Sequence, residues 1–233
     1  MACNAGPDII EDGLVLCLDA ANINSYPRTG SVLYDLTGAN NGTMENMTSA
    51  NYSSDNGGVI SFDGSDDHIN FGTPSLISSF PLTITAFIRR SNSGSRGVIF
   101  GNYHASSTNR SFQFEVDNND VLYAICSSSG NYESANDVRG STTININEIY
   151  HVACVMESGE ARVYLNGRLD GTDSSWASTL RSPVARYLIG GQDTSTGSIL
   201  NFNGDIHGLQ LYNKALTADE IRRNYEATVG RYT

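Results

Sequence analysis

Between Glu148 and Thr172 the chain reads EIYHVACVMESGEARVYLNGRLDGT, and no other stretch limits the possible folds as tightly. Tyr150, Val152, Cys154 and Met156 alternate with His151, Ala153, Val155 and Glu157. That is the two-residue period of a pleated strand. Ser158-Gly159 breaks the run, and a second strand pattern follows through Ala161, Val163 and Leu165. Asn166-Gly167 then supplies two residues tolerant of positive φ, as a tight type I′ hairpin requires, and Arg168-Leu169 begins the return. Three antiparallel strands with an apolar face are not stable alone in water, so the pattern demands a second sheet.

The rest of the chain supplies one. Gly13 to Ala20 is an almost continuous apolar strand, fit to be covered on both faces. Tyr34 to Thr43 reads as a turn-dense loop, and the segment on to Ser54 reads as polar and irregular. Val59 to Phe71 reads as a hairpin turning at Asp63-Gly64-Ser65. Further strands are expected over 81–90, 97–103, 111–116, 121–126, 187–189 and 202–212. Ser127 to Thr143, rich in Ser, Gly and Asn, is expected to be a mobile loop. One helix follows: Thr217 and Glu220 have the spacing of a reciprocal capping box, with Leu216 and Ile221 as its hydrophobic staple. Strands at this spacing with a single short helix predict an all-β, two-sheet antiparallel jelly-roll sandwich and exclude a parallel α/β sheet. One domain over 13–233, preceded by an N-terminal arm of residues 1–12, is expected.

Composition narrows the partners. The 233 residues carry 25 acids against 14 bases, and Lys214 is the one lysine. A net charge of −11 repels a phosphate backbone and a polyanionic membrane surface alike. No apolar run approaches the ~20 residues of a membrane span. The N-terminus has neither the cationic region nor the apolar core of a signal peptide, so none is expected. Cys3, Cys17, Cys126 and Cys154 lack zinc-ligand spacing. Cys17 and Cys154 lie inside apolar strand patterns, where each is expected as a buried free thiol. A chain of this size buries roughly 70% of its unfolded surface and needs neither disulfide nor metal to hold a core.

Four motifs in order, Phe62 to Phe71 (FDGSDDHINF), Tyr150 to Val155 (YHVACV), Arg162 to Leu169 (RVYLNGRL) and Phe202 to Ile221, resemble the laminin-G-like, concanavalin A-like jelly roll. The resemblance covers about residues 13 to 227 and implies fold far more than function, because this fold hosts lectins, adhesion modules and enzymes. The end segments GLVLCLDAANINSYP, YDLTGANNGT and NYEATVGRYT are similar to laminin-G-like proteins of tailed bacteriophages. That likeness implies a non-enzymatic virion subunit, a capsid decoration or tail appendage assembled in the host cytoplasm. Its expected partners are other virion proteins, a homo-oligomer or multi-copy assembly, and a host-surface glycan. The alternative is a carbohydrate-binding, lectin-like module of a cell-surface or secreted protein.

Candidate sites follow from both readings. Sugar sites combine an aromatic platform with amide or acid partners. Tyr103, Tyr132, Trp176 and Tyr187 are candidate platforms, with Asn131 and Gln192 as polar partners. For Trp176 the competing role is a plug at the sandwich edge. The family resemblance implies a possible Ca²⁺ at Asn109, Gln192 and Asp193, a thin donor set for an ion that takes six to eight oxygens; no other cofactor is expected. Asp63, Asp66 and Asp67, like Asp117 to Asp120, read as turn residues that bond their local backbone. Concanavalin A-like glycosidases are similar in carrying Glu-x-Asp-x-x-Glu, but here Glu115 and Asp117 are followed by Asp120, so the last Glu is absent. His68, His104, His151 and His207 are expected as structural histidines.

Overall fold

The computed structural model describes residues 8–105, 108–194 and 197–232. The double hairpin forms as its pattern dictates. Ile149–Glu157, Glu160–Leu165 and Arg168–Asp173 lie side by side and antiparallel. Asn166 and Gly167 both take positive φ, 48° and 75°. These strands make one end of an eight-stranded sheet that continues through Leu82–Arg90, Asn203–Tyr212, Val59–Asp63 and Tyr52–Ser53. Leu14–Asp19 pairs with the second half of Asn203–Tyr212. A second eight-stranded sheet runs in the order Asp137–Arg139, Leu122–Cys126, Arg110–Val116, Gly97–Tyr103, Leu188–Ile189, His68–Asn70, Gly42–Glu45, Val32–Leu33. The expected all-β antiparallel sandwich with one C-terminal helix is what the chain forms.

One face of each sheet supplies the core. Leu82, Ile84, Ala86, Ile88, Val152, Cys154 and Met156 of the first meet Phe100, Phe112, Phe114, Val116 and Leu122 of the second. At ~25 cal/mol per Å² this burial is the main stabilising term. The other face of the first sheet is covered too. Helix Ala218–Thr228 lays Ile221 on Ala153, Val155, Tyr164 and Tyr212, with Leu216 beside it. The capping box is present: the Thr217 hydroxyl accepts from the Glu220 amide at 3.2 Å, and the Thr217 amide donates to Glu220 Oε2 at 2.8 Å. Of the expected arm, residues 1–7 lie outside the described residues. The rest packs on the chain's own helix: Ile9 is buried against Ala227, and the Ile10 amide donates to Asn224 Oδ1 at 2.8 Å.

Four expectations are corrected. Val59–Asp63 and His68–Asn70 do not pair; the first lies in one sheet and the second in the other. The turn between them is a corner, tied by Asp67 Oδ2 accepting from the Asp63 amide at 3.0 Å and Asp63 Oδ1 from the Ser65 amide at 2.7 Å. The segment expected to be irregular contains Gly42–Glu45, which pairs with His68–Asn70 and extends the second sheet. Cys17 is disulfide-bonded, whereas Cys126 and Cys154 are buried free thiols. Its strand is a single-sided addition whose side chain meets Ile9 and Ala227, away from the space between the sheets. Ser127 to Thr143 is tethered rather than mobile. It contains the strand Asp137–Arg139, and Glu133 gathers the Ser128 and Ser129 amides, both at 3.0 Å.

Candidate functional site

With the helix on the first sheet, the outer face of the second sheet is the remaining broad surface. Along Arg110–Val116, Phe112 and Phe114 point into the core. The alternate residues Gln113 and Glu115 therefore face outward, opposite Ile125 and Tyr123 of the neighbouring strand. Tyr103, Tyr123 and Ile125 form a small apolar cluster of their own there. Arg96 and Arg139 both lie over the Tyr123 ring, with Cζ 5.8 Å and 4.5 Å from its centroid. Arg110 lies over Tyr103 at 5.7 Å.

Two loops raise a rim around this floor. The Glu133 clamp holds the loop that carries Asn131 and Tyr132. Burial opposes ionisation of Glu133, but hydrogen bonds from Ser128 and Ser129 outweigh it and pull the carboxyl down to about 2. Gly130, at φ 96°, lets this loop run against the neighbouring chain: a Cβ there would sit 2.0 Å from the Thr108 carbonyl oxygen, and the Arg110 amide donates to Gly130 O at 3.2 Å. The second loop is the short ladder Gln192–Asp193 with Ser198–Ile199. Between them lies a basin of about 330 Å³, lined by Tyr103, Arg110, Tyr132, Gln192 and Ile199 among others. Tyr132 is 61% exposed and Ile199 44%, so the rim offers apolar surface to a partner. The hydroxyl of Tyr103, a lining residue, is buried and has no hydrogen-bond partner among the described residues.

The structure brings Tyr103, Tyr132 and Gln192 together and sets Asn131 on the same rim loop, bonded to Ser129. It takes the other two aromatic candidates away. Trp176 is 4% exposed in the core between the sheets. Tyr187 is 1% exposed, stacks on Phe100 and exchanges hydrogen bonds with the Ile77 backbone. Neither presents a ring to a ligand; the polar sequence around Trp176 describes its neighbours, not its own direction. Among the residues that sequence reasoning missed as lining are Arg96, Arg110, Ile125 and Ile199. Alternation of Ser111, Gln113 and Glu115 with Phe112, Phe114 and Val116 carried part of that signal, since it sets an entire polar row on one face.

The donors at the implied calcium position do not fit the ion. Asp193 Oδ1 accepts from Arg186 Nε at 2.9 Å and Nη2 at 2.7 Å, and Oδ2 from the Arg186 amide at 3.0 Å. Both oxygens of its carboxylate thus belong to one arginine, which leaves amide oxygens for a cation that prefers several carboxylates. Among the described residues the group of three acids with ligand atoms within 4.8 Å of one another is Asp63, Asp66 and Asp67. Its buried member, Asp67, is engaged by the Asp63 amide and by Asn51.

The carboxylates on the outward row are not poised as a hydrolytic pair. Glu115 is fully buried, accepts from Arg96 Nε at 2.7 Å and Gln113 Nε2 at 2.6 Å, and has its pKa raised by burial against the pull of Arg96. Asp117 accepts from the Asn119 and Val121 amides within its turn. The histidines are likewise engaged or enclosed. His68 Nε2 lies 2.9 Å from Glu45 Oε2, and its Nδ1 lies 2.9 Å from the Asp66 carbonyl.

A two-sheet antiparallel sandwich with a basin on the outer face of one sheet defines a fold class rather than one activity. The chain belongs to the concanavalin A-like lectin/glucanases superfamily, whose Laminin_G_3 model matches residues 63–222. No curated protein sequence matches it. Among solved structures it is similar to Trypanosoma rangeli sialidase in complex with the inhibitor DANA, at 17% identity and a TM-score of 0.67. That match covers 97% of this chain and 34% of the sialidase, so the chain spans about a third of the enzyme's length. Domain 4 of AbnA, a GH43 extracellular arabinanase from Geobacillus stearothermophilus in complex with arabinotriose, matches at 18% identity and a TM-score of 0.64, covering 93% of this chain and 100% of that one. The Ruminococcus gnavus IT-sialidase CBM40 bound to α2,3-sialyllactose matches at 17% identity and a TM-score of 0.53, covering 62% and 82%. At these identities the likeness is one of fold.

Proposed function

We propose that this chain is a non-catalytic carbohydrate-binding domain and that the basin beneath Tyr132 is its glycan site. The observation that carries the reading is the pairing of an exposed apolar rim, Tyr132 and Ile199, with polar side chains of the same basin, Gln192 and Arg110. Sugars have both apolar faces and hydroxyl edges, and a site of this make-up answers both. Solved neighbours described as bound to sialyllactose and arabinotriose support it. The absence of catalysis is read from Glu115 and Asp117, both buried and hydrogen-bonded. Glycosidases hold two carboxyl groups on either side of the scissile bond. The virion-subunit expectation rests on the end segments. None of the similarities above bears on a bacteriophage setting.

A glycan array followed by calorimetric titration of the bound members tests the proposal. Tyr132→Ala removes the exposed ring and is expected to weaken binding about tenfold while moving stability by less than about 0.5 kcal/mol. Prolonged incubation with the same glycans is expected to leave them intact. An array with no binder, a Tyr132→Ala chain that binds as before, or a hydrolysed glycan each counts against the reading.

A further inference from the structure

We propose that the saccharide taken by this basin carries an acidic substituent, a carboxylate or a sulfate, and that Arg110 recognises it; the inference rests on the glycan-binding reading. The chain has 25 acids and 14 bases, yet the described residues lining the basin include Arg96 and Arg110 and no carboxylate. Three nearby arginines have counter-charges. Arg96 donates to Glu115 at 2.7 Å, Arg139 to Asp137 at 2.8 Å, and Arg186 to Asp193 at 2.7 Å. Arg110 has none within 4.0 Å among the described residues. Among the described residues its side chain makes one hydrogen bond, from Nη2 to the Ala105 carbonyl at 2.6 Å.

That single bond and the Tyr103 ring beneath it fix the guanidinium in place. A side chain already held loses little rotamer freedom when a ligand arrives, so its charge is available at low entropic cost. The planar fork suits two oxygens of an oxyanion better than a single hydroxyl. Tyr103 lies in the same lining, 5% exposed, and its hydroxyl has no hydrogen-bond partner among the described residues. Burial pushes that phenol up to about 12, so it remains a donor throughout the neutral range. Two side chains able to donate, Tyr103 and Arg110, and no acid therefore line this part of the basin among the described residues. A neutral sugar seated there would desolvate the Arg110 charge without replacing its water by an anion, a loss that an acidic sugar offsets.

The test uses the full chain on an array holding carboxylated, sulfated and neutral oligosaccharides, with affinities then measured for each binder. Acidic members are expected to bind, and whether carboxylated or sulfated ones do so identifies the source of the oxyanion. Arg110→Gln is expected to weaken them about tenfold or more, and Arg110→Lys less, since the charge is kept but the fork is lost. For the unaltered chain, affinity for an acidic binder is expected to fall between about 50 and about 300 mM salt, and this readout stands even if the variant fails to fold. Binding of neutral members alone, or of acidic members with no response to Arg110→Gln or to salt, overturns the inference and leaves the glycan-binding reading intact. An array with no binder at all overturns both.

Discussion

His151 and His207 lie beneath the C-terminal segment, on the outer face of the first sheet. His151 rests between the rings of Phe87 and Tyr225, 5.0 Å and 5.7 Å away, and His207 against Tyr232 at 4.9 Å. Burial holds His151 down to about 3. Burial also holds His207 down to about 4, against the pull of Asp205. Both folded values lie below the 6.5 of a free imidazole, so the unfolded chain binds more protons than the folded one as pH falls below 6.5. Stability is therefore intact above that pH and declines toward pH 4, by up to about 1.4 kcal/mol per pH unit for each histidine. Urea unfolding at pH 7.5 and pH 5 is expected to show a loss of about 2 kcal/mol per histidine. His151→Phe should remove about half of the dependence, and equal slopes in the two chains would show that the imidazole does not titrate on unfolding. The identity of these histidines as structural was legible in the strand alternation; the aromatic cap over them was not, because Tyr225 and Tyr232 reach them only through the fold.

At the scale of elements, local chemistry was readable where it closes within a few residues. The Asn166-Gly167 turn and the Thr217–Glu220 box are both complete in sequence windows of four or fewer residues. Thr217→Ala is expected to lower stability by about 1 kcal/mol, seen as a fall of about 2–4 °C in melting temperature, and an unchanged midpoint would deny the cap its role. Pairing over longer distance was less legible. The alternation in Val59–Asp63 and His68–Asn70 states that each is a half-buried strand, but not that Asn203–Ile206 and Gly42–Glu45 are their partners. A corner and a hairpin share the same Asp-Gly chemistry at Asp63-Gly64. The loop from Ser127 shows the opposite failure. Its Ser-Gly-Asn composition reads as mobile, yet one carboxylate, Glu133, ties its amides together and so fixes the position of Tyr132.

For the molecule as a whole, the asymmetry between the two sheets decides where a ligand goes. The first sheet is covered outside by the helix and the segment from Asp8 to Asp12, with Lys214 reaching Asp12 and Glu220 at 2.9 Å and 2.8 Å. The second keeps its outward row under two loops that leave a basin between them. Of the candidate site, the rim residues Tyr132 and Gln192 and the floor residue Tyr103 were visible as residue types. The arginines were not, because Arg96 precedes one end of the Gly97–Tyr103 strand and Arg110 pairs with Tyr103 at the other, and only the fold brings both side chains to one basin. The central claim is that this face, and no other, receives a saccharide. Amide chemical-shift mapping of the isotopically labelled chain, titrated with the tightest oligosaccharide from the array, measures that directly. The account predicts perturbations gathered at Tyr103, Arg110, Ile125, Tyr132 and Gln192, with the helix Ala218–Thr228 unmoved. Shifts gathered on the helix face or around Asp63–Asp67, with the basin silent, would contradict it.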